Sequence, residues 1–213
     1  MPATAPARPI SVLCVDDHPL LRDGIAAIIG SQSDIVLVGE AANGHEAIAL
    51  HRSLKPDITL MDLQMPEMGG IFAIEQICRE NPKAVIVVLT TYEGDVQAVR
   101  ALKAGASSYL LKASLRHELL DTIRAVHAGK RFISPEVAQQ IALHATQEPL
   151  SPREIAVLEL VANGKANKEI ASRLSVSEET VKAHLRTIFM KLYVADRTQA
   201  AAVAIRRGII ALN

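Results

Sequence analysis

Five short apolar runs recur along the front of this 213-residue chain, and a stretch with helical spacing follows each one. The runs are Ile10–Val15, Ile35–Val38, Asp57–Met61, Ala84–Leu89 and Ser108–Leu111. The intervening segments are Leu20–Gly30, Gly44–Leu54, Ile71–Glu80, Asp95–Ala104 and Leu115–His127. Strands that are apolar almost without interruption are buried on both faces, which means a parallel sheet covered by helices on each side. Right-handed crossovers then leave an α/β doubly wound five-stranded parallel sheet, of flavodoxin-like form, as the economical fold. No glycine-rich phosphate loop follows the first run and no Gly-Lys-Ser/Thr occurs, so a nucleotide-binding version of the fold is unsupported.

Ligands of such sheets bind beyond the carboxyl ends of the strands. Here those ends carry Asp16-Asp17, Asp62, Thr90-Thr91 and, after Leu110-Leu111, Lys112. The third end is abrupt: Ile58-Thr59-Leu60-Met61 runs into Asp62, and Met65-Pro66 then turns the backbone out of the sheet. A carboxylate at a buried strand end is costly unless its charge is used. Three carboxylates on one rim repel, and a divalent cation is the simplest relief. An oxygen-only set suits Mg2+: Asp17 and Asp62 as direct ligands, the Gln64 backbone carbonyl from the loop, and Asp16 through water. A carboxylate so held can act as a covalent nucleophile toward a phosphoryl group. Lys112 would neutralise its charge and Thr90 would hydrogen-bond it.

Val12-Leu13-Cys14-Val15-Asp16-Asp17-His18, Met61-Asp62-Leu63-Gln64-Met65-Pro66, Val88-Leu89-Thr90-Thr91-Tyr92 and Gly105-Ala106-Ser107-Ser108-Tyr109-Leu110-Leu111-Lys112 resemble the signatures of a two-component receiver domain. Four motifs in order make the likeness specific. It implies that Asp62 is the phosphoacceptor, charged by a sensor histidine kinase, with Asp16 and Asp17 as the acidic pair. Thr90 and Tyr109 are by the same resemblance the switch residues, Thr90 moving toward the phosphoryl group and Tyr109 turning inward behind it. Ser108 departs from the Gly that many relatives carry before the aromatic residue.

The remainder reads as helical. Ser134-Pro135-Glu136 can open a helix, with Ser134 as cap and Pro135 at its first position. Ala145–Pro149 reads as a flexible link. Ser151-Pro152-Arg153-Glu154 holds a capping box, and Gly164 stops the helix it starts. Asn167 is expected to cap a short helix through Leu174, and Ser177 to cap Glu178–Leu192. Two helices joined by so short a turn suggest a helix-turn-helix. At about 100° per residue, Val181, Leu185, Ile188 and Leu192 share a stripe about 60° wide and should be buried, leaving Lys182 and Arg186 outward, where a major groove could receive them.

Leu150-Ser151-Pro152-Arg153-Glu154, Ala166-Asn167-Lys168-Glu169-Ile170-Ala171, Val176-Ser177-Glu178-Glu179-Thr180-Val181-Lys182-Ala183-His184 and Asp196-Arg197-Thr198-Gln199-Ala200 resemble a LuxR-type DNA-binding domain. With the receiver, the whole chain is similar to a NarL/FixJ-type response regulator. The resemblance implies base contacts at Lys182, Ala183 and Arg186, and backbone contacts near Asn167, Lys168, Thr180 and His184. Ala183 is smaller than the residue common there, and Tyr193 stands where many relatives have Gly. If that site is left-handed, Tyr193 costs about 1–2 kcal/mol.

The expected organisation is a disordered lead (1–9), a receiver (10–128), a linker with a helix (129–149) and a DNA-binding domain (150–213). Net charge divides the same way: residues 1–128 hold 11 Lys and Arg against 15 Asp and Glu, residues 129–213 hold 12 against 8. A basic rear half suits a polyanion. Cys14 and Cys78 have no metal-binding spacing and read as reduced thiols. No apolar run is long enough for a membrane span, so a cytoplasmic protein without a membrane partner is expected. The expected function is a non-enzymatic transcription regulator whose phosphorylated form is a homodimer on double-stranded DNA. Two alternatives stand beside it. One is a constitutive DNA-binding regulator with a non-phosphorylated receiver. The other is an aspartate-nucleophile phosphatase, which would usually carry a second Asp where Gln64 stands.

Overall fold

The computed structural model describes residues 8–91 and 95–210. The chain divides into two compact units, Met1–Thr91 with Ala98–Pro135, and Tyr92–Gln97 with Glu136–Asn213. Most of the expected disordered lead falls on residues 1–7, which lie outside the described residues, as does Tyr92. Among the described residues no helix is long and apolar enough to cross a membrane.

In the first unit the elements alternate: β1 Ile10–Val15, α1 Pro19–Gly30, β2 Ile35–Ala41, α2 Gly44–Leu54, β3 Ile58–Asp62, α3 Gly70–Glu80, β4 Ile86–Thr90, α4 Asp95–Ala104, β5 Ser108–Leu111, α5 Leu115–His127 and β6 Phe132–Ile133. The strands lie in the order β2-β1-β3-β4-β5-β6, every neighbouring pair parallel. Every residue of β3, β4 and β5 is buried, as their unbroken apolar character requires. One core cluster joins Val12, Cys14, Leu60, Val87, Leu89 and Leu110 of the sheet to Ile25, Ile29, Leu119 and Ile123 of the flanking helices.

Two boundaries shift in informative ways. Asp57 precedes β3, because its carboxylate takes the Ser11 N–H at 2.9 Å and the Arg8 guanidinium at 2.7 Å. Asp62 and Thr90 become the last residues of β3 and β4, where Asp62 pairs with Leu89 and Thr90 with Leu111. The sheet has six strands where the apolar runs indicate five. Phe132 and Ile133, within the stretch read as linker, pair with Ser108 and Tyr109, and two residues are too few for a periodic signal to reveal.

The second unit is helical: α6 Pro135–His144, α7 Pro152–Ala162, α8 Asn167–Leu174, α9 Glu178–Leu192 and α10 Arg197–Arg206. Ser151 and Glu154 form the expected capping box, Gly164 takes a left-handed φ of 74° just after α7, and Ser177 accepts the Thr180 N–H at 3.1 Å. Val181, Leu185, Ile188 and Leu192 are buried together with Val157, Leu158, Ile170 and Ala200. Two expected caps are corrected. Ala166 holds the cap position of α8 and Asn167 is its first helical residue; the Glu169 carboxylate takes the Ala166 N–H at 2.9 Å. Ser134 stands directly before α6, with Pro135 the helix's first residue as expected, but the buried Ser134 hydroxyl has no hydrogen-bond partner among the described residues. In the stretch read as a flexible link, Lys191 Nζ reaches the Pro149 carbonyl at 3.2 Å and Glu148 at 3.1 Å. Tyr193 ends α9 at φ 54°, ψ 48°, so the left-handed conformation and its cost are both present.

Candidate functional site

The carboxyl ends of β1, β3, β4 and β5 meet on one rim of the first unit. Strand order puts β3 between β1 and β4, so Asp62 lies at the centre with Asp16 on one side and Thr90 on the other. Lys112 opens a short 3-10 turn directly after β5. Its ammonium reaches Asp16 Oδ2 at 2.7 Å and Asp62 Oδ2 at 2.9 Å. Asp16 is fully buried, Asp62 nearly so, and the Lys112 side chain is 12% exposed. On the far side of Asp62, the Gln64 N–H donates to Oδ1 at 3.3 Å, holding the loop carbonyls near the carboxylate.

One ammonium cannot neutralise this rim. Burial pushes the Asp62 carboxyl above the usual carboxylate range; the Lys112 bond opposes that shift and the Asp16 charge adds to it. Lys112 is held above its ordinary value: burial works against it, but its bonds to Asp16 and Asp62 prevail. The cationic form of Lys112 is therefore secure, and the surplus charge rests on the carboxylates. Asp16 Oδ2 faces the Lys112 ammonium at 2.7 Å, and Asp17 Oδ1 faces the His18 ring nitrogen at 2.7 Å. Single ligand atoms of Asp16, Asp17, His18 and Asp62 all lie within 4.8 Å of one another. Three carboxylates at this spacing, sharing one ammonium, fit a divalent cation.

Tyr109 is fully buried and hydrogen-bonded to Thr90. Burial and the Asp62 charge push its phenol up to about 12, with the Thr90 bond pulling the other way. The Tyr109 ring points inward. Cys14, beneath the same strand end, is pushed to about 12 by burial and then by Asp16, so it is an inert thiol. Cys78 is likewise free and half-buried.

Three contributors were not evident from the sequence. His18 sets Nδ1 2.7 Å from Asp17 and 3.2 Å from Asp16; its place directly after the acidic pair was the available signal. Arg22 donates to the Asp16 main-chain carbonyl at 2.6 Å and pairs with Glu40 at 3.1 Å, steadying the end of β1. Gly70 has the tightest requirement. A Cβ there would stand 1.9 Å from the Asp62 carbonyl oxygen, so α3 can start against the end of β3 only with glycine.

In the second unit, α8 and α9 form the helix-turn-helix, joined by Ser175 at φ 55°. Lys182, Ala183 and Arg186 are exposed on α9, opposite the stripe that packs into the core, while Thr180 and His184 are half-buried beside them. Lys182 has Glu179 for a neighbour at 3.3 Å. Thr180 Oγ1 lies 2.8 Å from the Ser177 cap. Lys168 is exposed on α8, and Asn167 Oδ1 is buried without a hydrogen-bond partner among the described residues. α7 is tied to α9 by Glu154, which meets Lys191 at 3.0 Å. Burial would raise this carboxyl, but the Ser151 N–H and Lys191 hold it below the usual range.

An acidic rim on a doubly wound sheet, followed along the chain by a helix-turn-helix with Lys182 and Arg186 outward, is the make-up of a two-part DNA-binding regulator. Known proteins give the family. Residues 12–124 match the response regulator receiver domain, and residues 148–204 match the bacterial regulatory proteins of the luxR family. The transcriptional regulatory protein LiaR of Bacillus subtilis is 43% identical over 209 residues, covering 94% of this chain and 99% of that protein. The response regulator protein VraR of Staphylococcus aureus is 41% identical over 206 residues, with the same two coverages. Among solved structures, RcsB of Salmonella enterica serovar Typhimurium, bound to promoter P1flhDC in the presence of the phosphomimetic BeF3−, has a TM-score of 0.71 at 28% identity. It covers 91% of this chain and 97% of that one. The chain belongs to the NarL/FixJ-type two-component response regulators.

Proposed function

We propose that Asp62 is the phosphoacceptor of a cytoplasmic transcription regulator, and that its phosphorylation by a sensor histidine kinase governs DNA binding by α9. The observation that carries this reading is the Lys112 ammonium held 2.7 and 2.9 Å from Asp16 and Asp62, at a rim where Asp17 brings a third carboxylate within 4.8 Å. An Asp62 oxygen attacks the phosphorus of the kinase's phosphohistidine; the O–P bond forms as the N–P bond breaks and the imidazole leaves. Magnesium would be held by Asp17, Asp62 and the Gln64 main-chain carbonyl, with Asp16 acting through water, and would supply charge neutralisation. Lys112 neutralises the equatorial oxygens from the other side. Thr90 exchanges its Tyr109 bond for one to the phosphoryl group, and Tyr109 keeps the inward space.

A local exchange of hydrogen bonds can bias a two-state surface. Phosphorylated chains pair about a two-fold axis and set two copies of α9 on a two-fold DNA site, with Lys182, Ala183 and Arg186 at base edges and Thr180, His184, Asn167 and Lys168 at the backbone. The RcsB complex, solved on promoter DNA with a phosphomimetic, supports this reading.

With magnesium and a small acyl phosphate, intact mass should show one phosphoryl group on the wild type and none on Asp62→Ala. Equal labelling would remove Asp62 as the acceptor, and with it the aspartate-nucleophile phosphatase, and leave the constitutive reading. On a duplex recovered by selection from random sequence, Lys182→Ala should weaken binding by roughly 5- to 100-fold, and wild-type affinity should fall steeply with salt. An affinity indifferent to salt would sink the groove assignment.

A further inference from the structure

The strand that carries Tyr109 is also the strand to which the start of the linker is fastened. β5 has four residues and lies between β4 and β6. On its β4 side, Tyr109 pairs with Val88 and its hydroxyl bonds Thr90. On its other side Ser108 pairs with Phe132 and Tyr109 with Ile133, and the Ser134 N–H continues to the Tyr109 carbonyl at 3.4 Å. β6 is only two residues long, so its main-chain ladder is a weak attachment. Ser108 adds to it. Its side chain is fully buried, and its hydroxyl donates to the Phe132 carbonyl. Gly129 turns the chain back at φ 79°, and Phe132 packs on the sheet's core cluster. Ser134 is fully buried with an unsatisfied hydroxyl, so the segment is drawn in by its neighbours and not by its own polar side chain. Pro135 then opens α6.

We propose that Ser108 is a positioning residue that fastens the linker strand β6 to the Tyr109-bearing strand, carrying the state of Asp62 into the chain that leads to the DNA-binding unit. This rests on the phosphoacceptor reading above. The route is short: Asp62 and Thr90 end the neighbouring strands β3 and β4, Thr90 hydrogen-bonds Tyr109, and the Tyr109 carbonyl accepts the Ser134 N–H. A glycine at position 108 could make no such bond. Ser108 touches no reacting atom; it acts through the register of its neighbour.

The test uses the full chain, magnesium and a small acyl phosphate, comparing wild type with Ser108→Ala, which deletes only the hydroxyl, and Ser108→Gly. Three quantities are read together: Asp62 label by intact mass, amide hydrogen exchange over residues 130–135, and affinity for the selected duplex with and without phosphodonor. Labelling should be alike in all three proteins. In the wild type, exchange over 130–135 should change on phosphorylation. In Ser108→Ala it should be about three- to tenfold faster in both states, the loss expected for one buried hydrogen bond, and the gain in DNA affinity on phosphorylation should shrink by a similar factor. Ser108→Gly should show the same loss or more. Variants that label normally and keep both the wild-type exchange and the full affinity gain overturn the role of Ser108 while leaving Asp62 as acceptor. A wild type that takes no label overturns both readings.

Discussion

Gly70→Ala should destabilise the receiver unit by about 3 kcal/mol or more, whereas Gly69→Ala next to it should cost almost nothing. Helix propensity alone predicts the reverse for position 70, since alanine is favoured over glycine by about 1 kcal/mol inside a helix. Contact decides the sign. A Cβ on Gly70 would lie 1.9 Å from the Asp62 carbonyl oxygen and 2.9 Å from both the Asp62 carbonyl carbon and Leu63 Cα. All three are backbone atoms of the strand end, which cannot swing aside like the tip of a side chain. Gly70 N–H also donates to the Leu63 carbonyl at 3.0 Å, fixing the approach. A Cβ on Gly69 meets only the Leu63 oxygen, at 3.4 Å, an ordinary contact. Urea unfolding of the two variants checks the contrast. Because α3 would be pushed off the residue bearing the candidate acceptor, Gly70→Ala should also slow labelling of Asp62. Equal stability in the two variants would contradict the close approach.

Removing the ammonium from the rim is the second large perturbation. Lys112→Met leaves Asp16 and Asp62 buried without their shared cation, and breaking a buried ion pair from one side typically costs about 3–5 kcal/mol. The loss should depend on pH in a defined direction. Asp62 already sits above the usual carboxylate range in the fold, chiefly through burial, and without Lys112 it rises further. A folded carboxyl above its unfolded value binds protons that the unfolded chain has released. Stability is therefore greatest at low pH and falls as pH rises through the folded value. Lys112→Met should accordingly be least destabilised near about pH 5 and most near about pH 7.5, a window above the ordinary carboxylate value. Magnesium should recover part of the loss at the higher pH, because an ion bound only by the folded state adds stability by mass action. Denaturant unfolding at both pH values, with and without magnesium, provides the measurement. A deficit that is the same at both would mean that the two carboxylates do not depend on Lys112.

Legibility from sequence followed the range of the interaction. The caps at Ser151 and Ser177, the stop at Gly164 and the buried stripe of α9 depend on residues three or four apart, and all stand where the pattern placed them. Tyr193 was readable as a departure, and its φ of 54° bears out the conformation inferred for it. The cap of α8 moved by one residue because Glu169 takes the Ala166 N–H, a choice between adjacent polar arrangements of similar energy. β6 escaped notice because two residues carry no period. Gly70 escaped because its constraint comes from Asp62, across the β3–α3 turn, whereas a glycine in a loop is compatible with many local conformations. Arg22 looked like any polar residue on an exposed helix face until the Asp16 carbonyl came within 2.6 Å.

For the acidic rim, the sequence by itself determined which residue types end which strands, because a buried parallel strand announces its own length through unbroken apolar character. It also determined the two-unit order of a receiver followed by a helix-turn-helix. Only the tertiary structure decided that Lys112 stands between Asp16 and Asp62, that Thr90 reaches Tyr109, and that β6 joins the sheet beside Tyr109. Strand order set those meetings, and strand order is fixed by crossovers and shared core packing among residues far apart in the chain. Local periodicity carries no record of it.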